Sequence, residues 1–89
     1  YGAEAKYLVA LQLYKAHEYA AAEKEILNFI EQSTPHAYWL ARSFILLSDV
    51  YVAMDKKLDA RQYLLSLQQN YHADDDIEQM INERLEKLK

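Results

Sequence analysis

The sequence predicts an all-α fold, two stacked helix pairs closed by a fifth, capping helix. An internal repeat is the first reason. Leu8, Val9, Ala10, Leu13, Ala22, Ile26, Leu27 and Phe29 line up, 38 positions on, with Leu46, Leu47, Ser48, Tyr51, Ala60, Leu64, Leu65 and Leu67. Large positions stay large and small ones stay small, and self-similarity at a period of about 20–50 residues marks stacked repeat units. Composition is the second reason: the chain has one Gly, one Pro and many Ala, Leu, Glu, Gln and Lys, all good helix formers. The third is that apolar residues recur at helical spacing from end to end.

The first helix is expected over about Ala3 to Ala16. Its run Tyr7-Leu8-Val9-Ala10-Leu11 is too wide for one buried stripe, so neighbours should cover more than one of its sides. The second, about Tyr19 to Gln32, is more amphipathic and should face water. Thr34 can cap the next helix, and Pro35 suits its first position, where a missing N–H costs nothing. That third helix, about Pro35 to Met54, is the longest and carries the equally broad run Phe44-Ile45-Leu46-Leu47. After a turn at Asp55-Lys56 the fourth runs from about Lys57 to Tyr71, with Asp59, Arg61, Gln62, Gln68 and Gln69 on a polar face. His72 and Ala73 break it. Asp75 with Glu78 reads as a capping box opening the fifth helix, about Asp75 to Leu88.

In the fifth helix Ile77, Met80, Ile81, Leu85 and Leu88 form one narrow apolar stripe and the rest is charged. A terminal cap needs that division, one side to cover the last unit and one to meet water. Glu86 stands 38 positions beyond Ser48, where a close helix crossing would want a small residue, so the array is expected to end here with Lys89 near the natural C-terminus. Tyr1-Gly2-Ala3 opens inside an amphipathic pattern without an initiator Met, which is expected of a segment of a longer protein.

Eighty-nine residues make one domain, residues 1–89, with a core too small to be more than marginal unless something else covers it. A net charge of −4 argues against nucleic-acid binding, which normally needs a basic face. The absence of Cys removes disulfides and thiolate metal sites and leaves the redox compartment open. Arg42, Ser43, Ser48 and Asp49 interrupt the apolar stretches, which fall far short of the roughly 20 residues of a membrane span. His17, His36 and His72 lie in turns or at a helix start without a ligand at helical spacing. Asp74-Asp75-Asp76 lacks the spaced pattern of a calcium loop and is explained by capping. Ser33, Ser43, Ser48 and Ser66 have no activating context. No catalytic residue, metal or cofactor is expected.

The residues resemble the tetratricopeptide repeat family, in particular the C-terminal repeats of its bacterial members. Phe44, Leu47, Ser48 and Tyr51, followed by Ala60, Leu64 and Leu67, match the motif in a second unit of about 35–73. Val9, Ala10 and Leu13, followed by Tyr19, Ala22, Ile26 and Phe29, match it in a first unit of about 3–34. The pairs Ala10 and Ala22, and Ser48 and Ala60, fall where two helices would cross most closely, so only small side chains fit. Two departures stand out: the unit is four residues longer than the usual ~34, and the closing Pro is replaced by Thr34 in one unit and His72 in the other. The extra turn is expected at Pro35 to Tyr38.

The resemblance implies a right-handed superhelix of two helix pairs plus the cap, and a protein–protein interaction scaffold without catalysis. It places Tyr7, Leu11 and Tyr14 of the first unit, and Arg42, Ile45, Asp49 and Val52 of the second, on a concave face for a peptide or helix of another protein. Tyr and Arg are favoured anchors in such interfaces. The other reading of Tyr7, Leu11 and Tyr14 is contact with preceding repeats. Repeats that clamp a chaperone's carboxyl terminus use Lys, Asn and Arg on this face, and Tyr7 and Leu11 supply no such donors. Tyr51 and Tyr63 read as packing residues, and self-association through an exposed first helix is expected. Two alternatives remain open, a cell-envelope assembly or transport subunit and a regulatory arm of an upstream enzyme domain; cytoplasm and cell envelope are both compatible with the residues.

Overall fold

The computed structural model describes residues 2–31, 37–72 and 75–88. They form five α-helices and, among the described residues, no strand. In chain order these are α1 (Ala3–Lys15), α2 (Tyr19–Glu31), α3 (Ala37–Ala53), α4 (Lys57–Asn70) and α5 (Ile77–Lys87). The expectations about Thr34, Pro35, His36 and Lys89 lie outside the described residues.

Each helix packs on the next, and α3 also meets α1 on one side and α5 on the other. The arrangement of α1, α2 and α3 is therefore repeated by α3, α4 and α5. The Cα extents are 34 × 30 × 18 Å, and the smallest of them is close to two helix diameters of about 10 Å each. Inner helices α1, α3 and α5 make one layer, outer helices α2 and α4 the other.

Small residues mark the crossings as expected. Ala10 is buried in α1, Ser48 in α3, and Ala22 and Ala60 are 0% exposed. Around them Ile26, Leu46, Leu47, Val50 and Tyr51 form one core cluster, and Ala41, Ile45, Leu64, Leu67, Ile77 and Ile81 form a second under α5. The two buried serines of α3 cost little, because Ser43 Oγ donates to the Trp39 carbonyl at 2.8 Å and Ser48 Oγ to that of Ile45. Tyr51 and Tyr63 pack as expected, with ring centroids 5.6 Å apart and Phe44 beyond Tyr63.

The two helix pairs close through the same turn. Glu18 N–H donates to the Leu13 carbonyl and His17 N–H to that of Tyr14; Lys56 N–H donates to Tyr51 and Asp55 N–H to Val52. This double bond pattern is the Schellman ending of a helix, whose C′ residue takes a left-handed conformation. His17 (φ 64°) and Asp55 (φ 62°), 38 positions apart, both adopt it. The repeat is thus written in the backbone as well as in the side chains.

Three expectations need correction. First, α1 is covered on one side only: Leu8 and Val9 are 45% and 49% exposed, whereas their counterparts Leu46 and Leu47 are 3% and 0% exposed. The α1–α2 pair lies against α3, and among the described residues no pair lies against the opposite side of α1. Second, α5 begins at Ile77 rather than Asp75. The N-cap position falls to Asp76, which makes no side-chain cap bond, while Asp75 just before it accepts the Ile77 N–H at 3.0 Å. Third, α1, α3 and α4 each end one residue inside the expected limit, where Schellman turns and extended backbone at Tyr71 stop them; the expected end of α2 at Gln32 lies outside the described residues.

Candidate functional site

The groove-facing residues expected from the sequence sit on one face of the inner layer. Helical spacing puts Arg42, Ile45, Asp49 and Val52 on a single stripe of α3, and α1 sets Tyr7, Leu11 and Tyr14 beside it. They do not all reach solvent. Ile45 is 1% exposed, sealed beneath α5 among Leu64, Leu67, Ile77 and Ile81. Tyr7 is 7% exposed and its ring lies 5.5 Å from that of Trp39. Neither offers surface to a partner. Leu11 and Tyr14 are half-buried against the first cluster, and Val52 is exposed.

Tyr14, Asp49 and Val52 meet in an open groove of about 540 Å³, whose other walls include Lys57 and Leu64 of α4 and Glu83, Arg84 and Lys87 of α5. Its polar centre is an ion pair between α3 and α5. Arg84 Nε donates to Asp49 Oδ1 at 2.9 Å and Nη2 to Oδ2 at 3.1 Å, and about a quarter of each side chain is exposed. A bidentate fork of this kind fixes direction as well as distance. It also helps set the neighbouring hydroxyl: burial raises the Tyr14 pKa, Asp49 and Tyr19 raise it further, and Arg84 works against them.

Two turns up α3, Arg42 is surrounded by aromatic rings, its guanidinium carbon 5.0 Å from the Tyr7 centroid, 5.7 Å from Trp39 and 5.9 Å from Tyr38. The Tyr7 and Tyr38 hydroxyls accept from its Nη atoms only at 3.4 Å, and its buried Nε has no hydrogen-bond partner. Burial opposes the charge, yet the two tyrosines outweigh it and hold the guanidinium pKa above its ordinary value. Beyond Arg42, the Tyr38 hydroxyl donates to Asp76 at 2.9 Å.

Arg84, Lys57 and Lys87 were not among the residues singled out from the sequence. Arg84 carried a readable signal: it sits on the α5 stripe of Ile77, Ile81 and Leu88, and a cation on a buried face needs an acid opposite. Asp49 is that acid. Among the described residues, His17 lies beside the Tyr19 hydroxyl at 2.8 Å and His72 beside the Gln69 carbonyl. Among the described residues no group of three His, Cys, Asp or Glu could hold a metal ion, and no helix is long and apolar enough to cross a membrane.

The fold and the groove together define an all-helical chain with a repeat-like architecture. Compared with protein-family models, curated proteins and solved structures, it matches none of them.

Proposed function

We propose that this chain is a protein–protein interaction module of the tetratricopeptide type, an assembly scaffold that takes a peptide or helix of another protein on its α1/α3/α5 face and performs no catalysis. One observation carries the reading: Tyr14, Asp49 and Val52, from two helices, line an open groove. An amphipathic rim with an aromatic side chain and an oriented ion pair suits peptide docking. Tyr14→Ala is the test. It should weaken retention of a bound partner while circular dichroism keeps the helical signal; loss of helicity instead would assign Tyr14 to packing alone.

A second mode is favoured by Leu8 and Val9, apolar and exposed where their repeat counterparts are buried. Stacked repeats draw stability from neighbouring units, so this face supports self-association. Light scattering across a dilution series should show mass rising with concentration, and Leu8→Glu should abolish the rise. A monomer at every concentration, with a melting point independent of dilution, would exclude it.

A further inference from the structure

We propose that two copies of this chain associate about a two-fold axis, α1 antiparallel to α1, with Glu4 of each copy facing Lys15 of the other. This rests on the self-association read above from Leu8 and Val9, and it adds the geometry of the contact and the residues that set it.

Pattern is the first observation. The uncovered side of α1 and its C-cap carries two adjacent rows, each stepping by four, three and four residues. One is Glu4, Leu8, Leu11 and Lys15; the other is Ala5, Val9, Gln12 and Ala16. Such steps keep side chains on one face of a helix, as in the seam of a coiled coil. All are exposed except Leu11, which is half-buried at the margin. Both rows are self-complementary when reversed. The first then sets acid against base and leucine against leucine, and the second sets alanine against alanine and Val9 against Gln12. The first row is symmetric about a point between residues 9 and 10, the second about a point between 10 and 11. These points differ by about 1.5 Å along the helix, so one two-fold axis near residue 10 serves both.

Charge is the second observation. Neither Glu4 nor Lys15 takes part in an ion pair among the described residues. Parallel pairing would oppose Glu4 to Glu4 and Lys15 to Lys15, and like charges across a contact reject that arrangement. Antiparallel pairing joins each to its opposite twice over.

The far end of the stack excludes the other way of joining copies. The exposed side of α5 carries Gln79, Asn82 and Glu86, which offer no counterpart to Leu8 and Val9. Head-to-tail stacking would set apolar against polar side chains and would run on into open filaments, whereas two-fold pairing closes at a dimer.

The chain has no Cys, so a single introduced one reports only its own neighbours. Ala5 and Ala16 are exposed, and replacing them should leave the fold intact. With the axis near residue 10, position 5 lies about 15 Å along the helix from its own counterpart, and position 16 about 18 Å. Both exceed the ~7 Å between Cα atoms that a disulfide can span, while positions 5 and 16 of opposite copies come level to within about 1.5 Å. Under mild oxidation Ala5→Cys alone and Ala16→Cys alone should therefore stay uncrosslinked on non-reducing gels, and their equimolar mixture should give a covalent dimer. In sedimentation at ~50 mM salt, Glu4→Lys and Lys15→Glu should each weaken the dimer about tenfold, and mixing the two should recover it, since each copy then supplies the charges the other lacks. Self-crosslinking of Ala5→Cys, no crosslink in the mixture, charge variants that pair as tightly as wild type, or masses growing past the dimer would each overturn the antiparallel contact. If Leu8→Glu still abolished association in those cases, self-association itself would stand. A monomer at every concentration would overturn both.

Discussion

At the scale of single residues, the most informative positions are His17 and Asp55, because both hold a left-handed backbone that most side chains avoid. For an L-residue that conformation costs about 1–2 kcal/mol, while glycine there loses about 0.5–1 kcal/mol through its freer unfolded chain. Asp55→Gly should therefore stabilise the protein by about 0.5 kcal/mol, read as a higher urea midpoint at unchanged slope. His17→Gly should gain less, since it gives up the contact with the Tyr19 hydroxyl. Tyr71 makes a different prediction. Its hydroxyl donates to Asp75, and that bond, followed by burial, pushes its pKa up to about 12. A raised tyrosine pKa means the fold prefers the protonated ring. That contribution is complete below the ordinary value of about 10, and it fades as pH climbs from there towards the folded value. Tyr71→Phe should consequently lose less stability than wild type between those two pH values, measured by urea midpoints along an alkaline series. Parallel losses in the two proteins would contradict the assignment.

At the scale of helices, the crossings govern the fold. Ala60→Leu adds three carbons at a fully buried crossing of α3 and α4 and should cost about 1–3 kcal/mol. Gln62→Leu, on the exposed side of α4, should be close to neutral, and equal losses would mean that α4 is turned the wrong way. These crossings were legible before any coordinates because size is conserved between Ala22 and Ala60, and between Ala10 and Ser48, at a constant spacing. The stripe of α5 was legible for the same reason. The groove was only partly so. Helical spacing put Ile45 in line with Arg42 and Asp49, but whether that line meets water depends on α5, which arrives more than 30 residues later and seals Ile45 beneath Ile77 and Ile81. Tyr7 went the same way beneath Trp39. Position along a helix is local information; what lies over it is not. The ion pair of Arg84 with Asp49 belongs to the second kind, and it ties the cap to the middle of the stack.

At the scale of the whole molecule, stability should decline outward from α3. It has eight buried residues and touches all four other helices, while α1 lies at one edge with Leu8 and Val9 uncovered and α5 at the other. Amide hydrogen exchange should be slowest through the middle of α3 and fastest in the first turn of α1 and the last of α5; uniform protection would speak against a stack of semi-independent units. The matching turns at His17 and Asp55 have a further use. A second copy of residues 18–55, spliced in after Asp55, would meet the same left-handed corner on leaving one helix and entering the next. The chain carries its own cassette for elongation, and the lengthened protein should melt higher than its parent, each added pair lending a neighbour to the one before it.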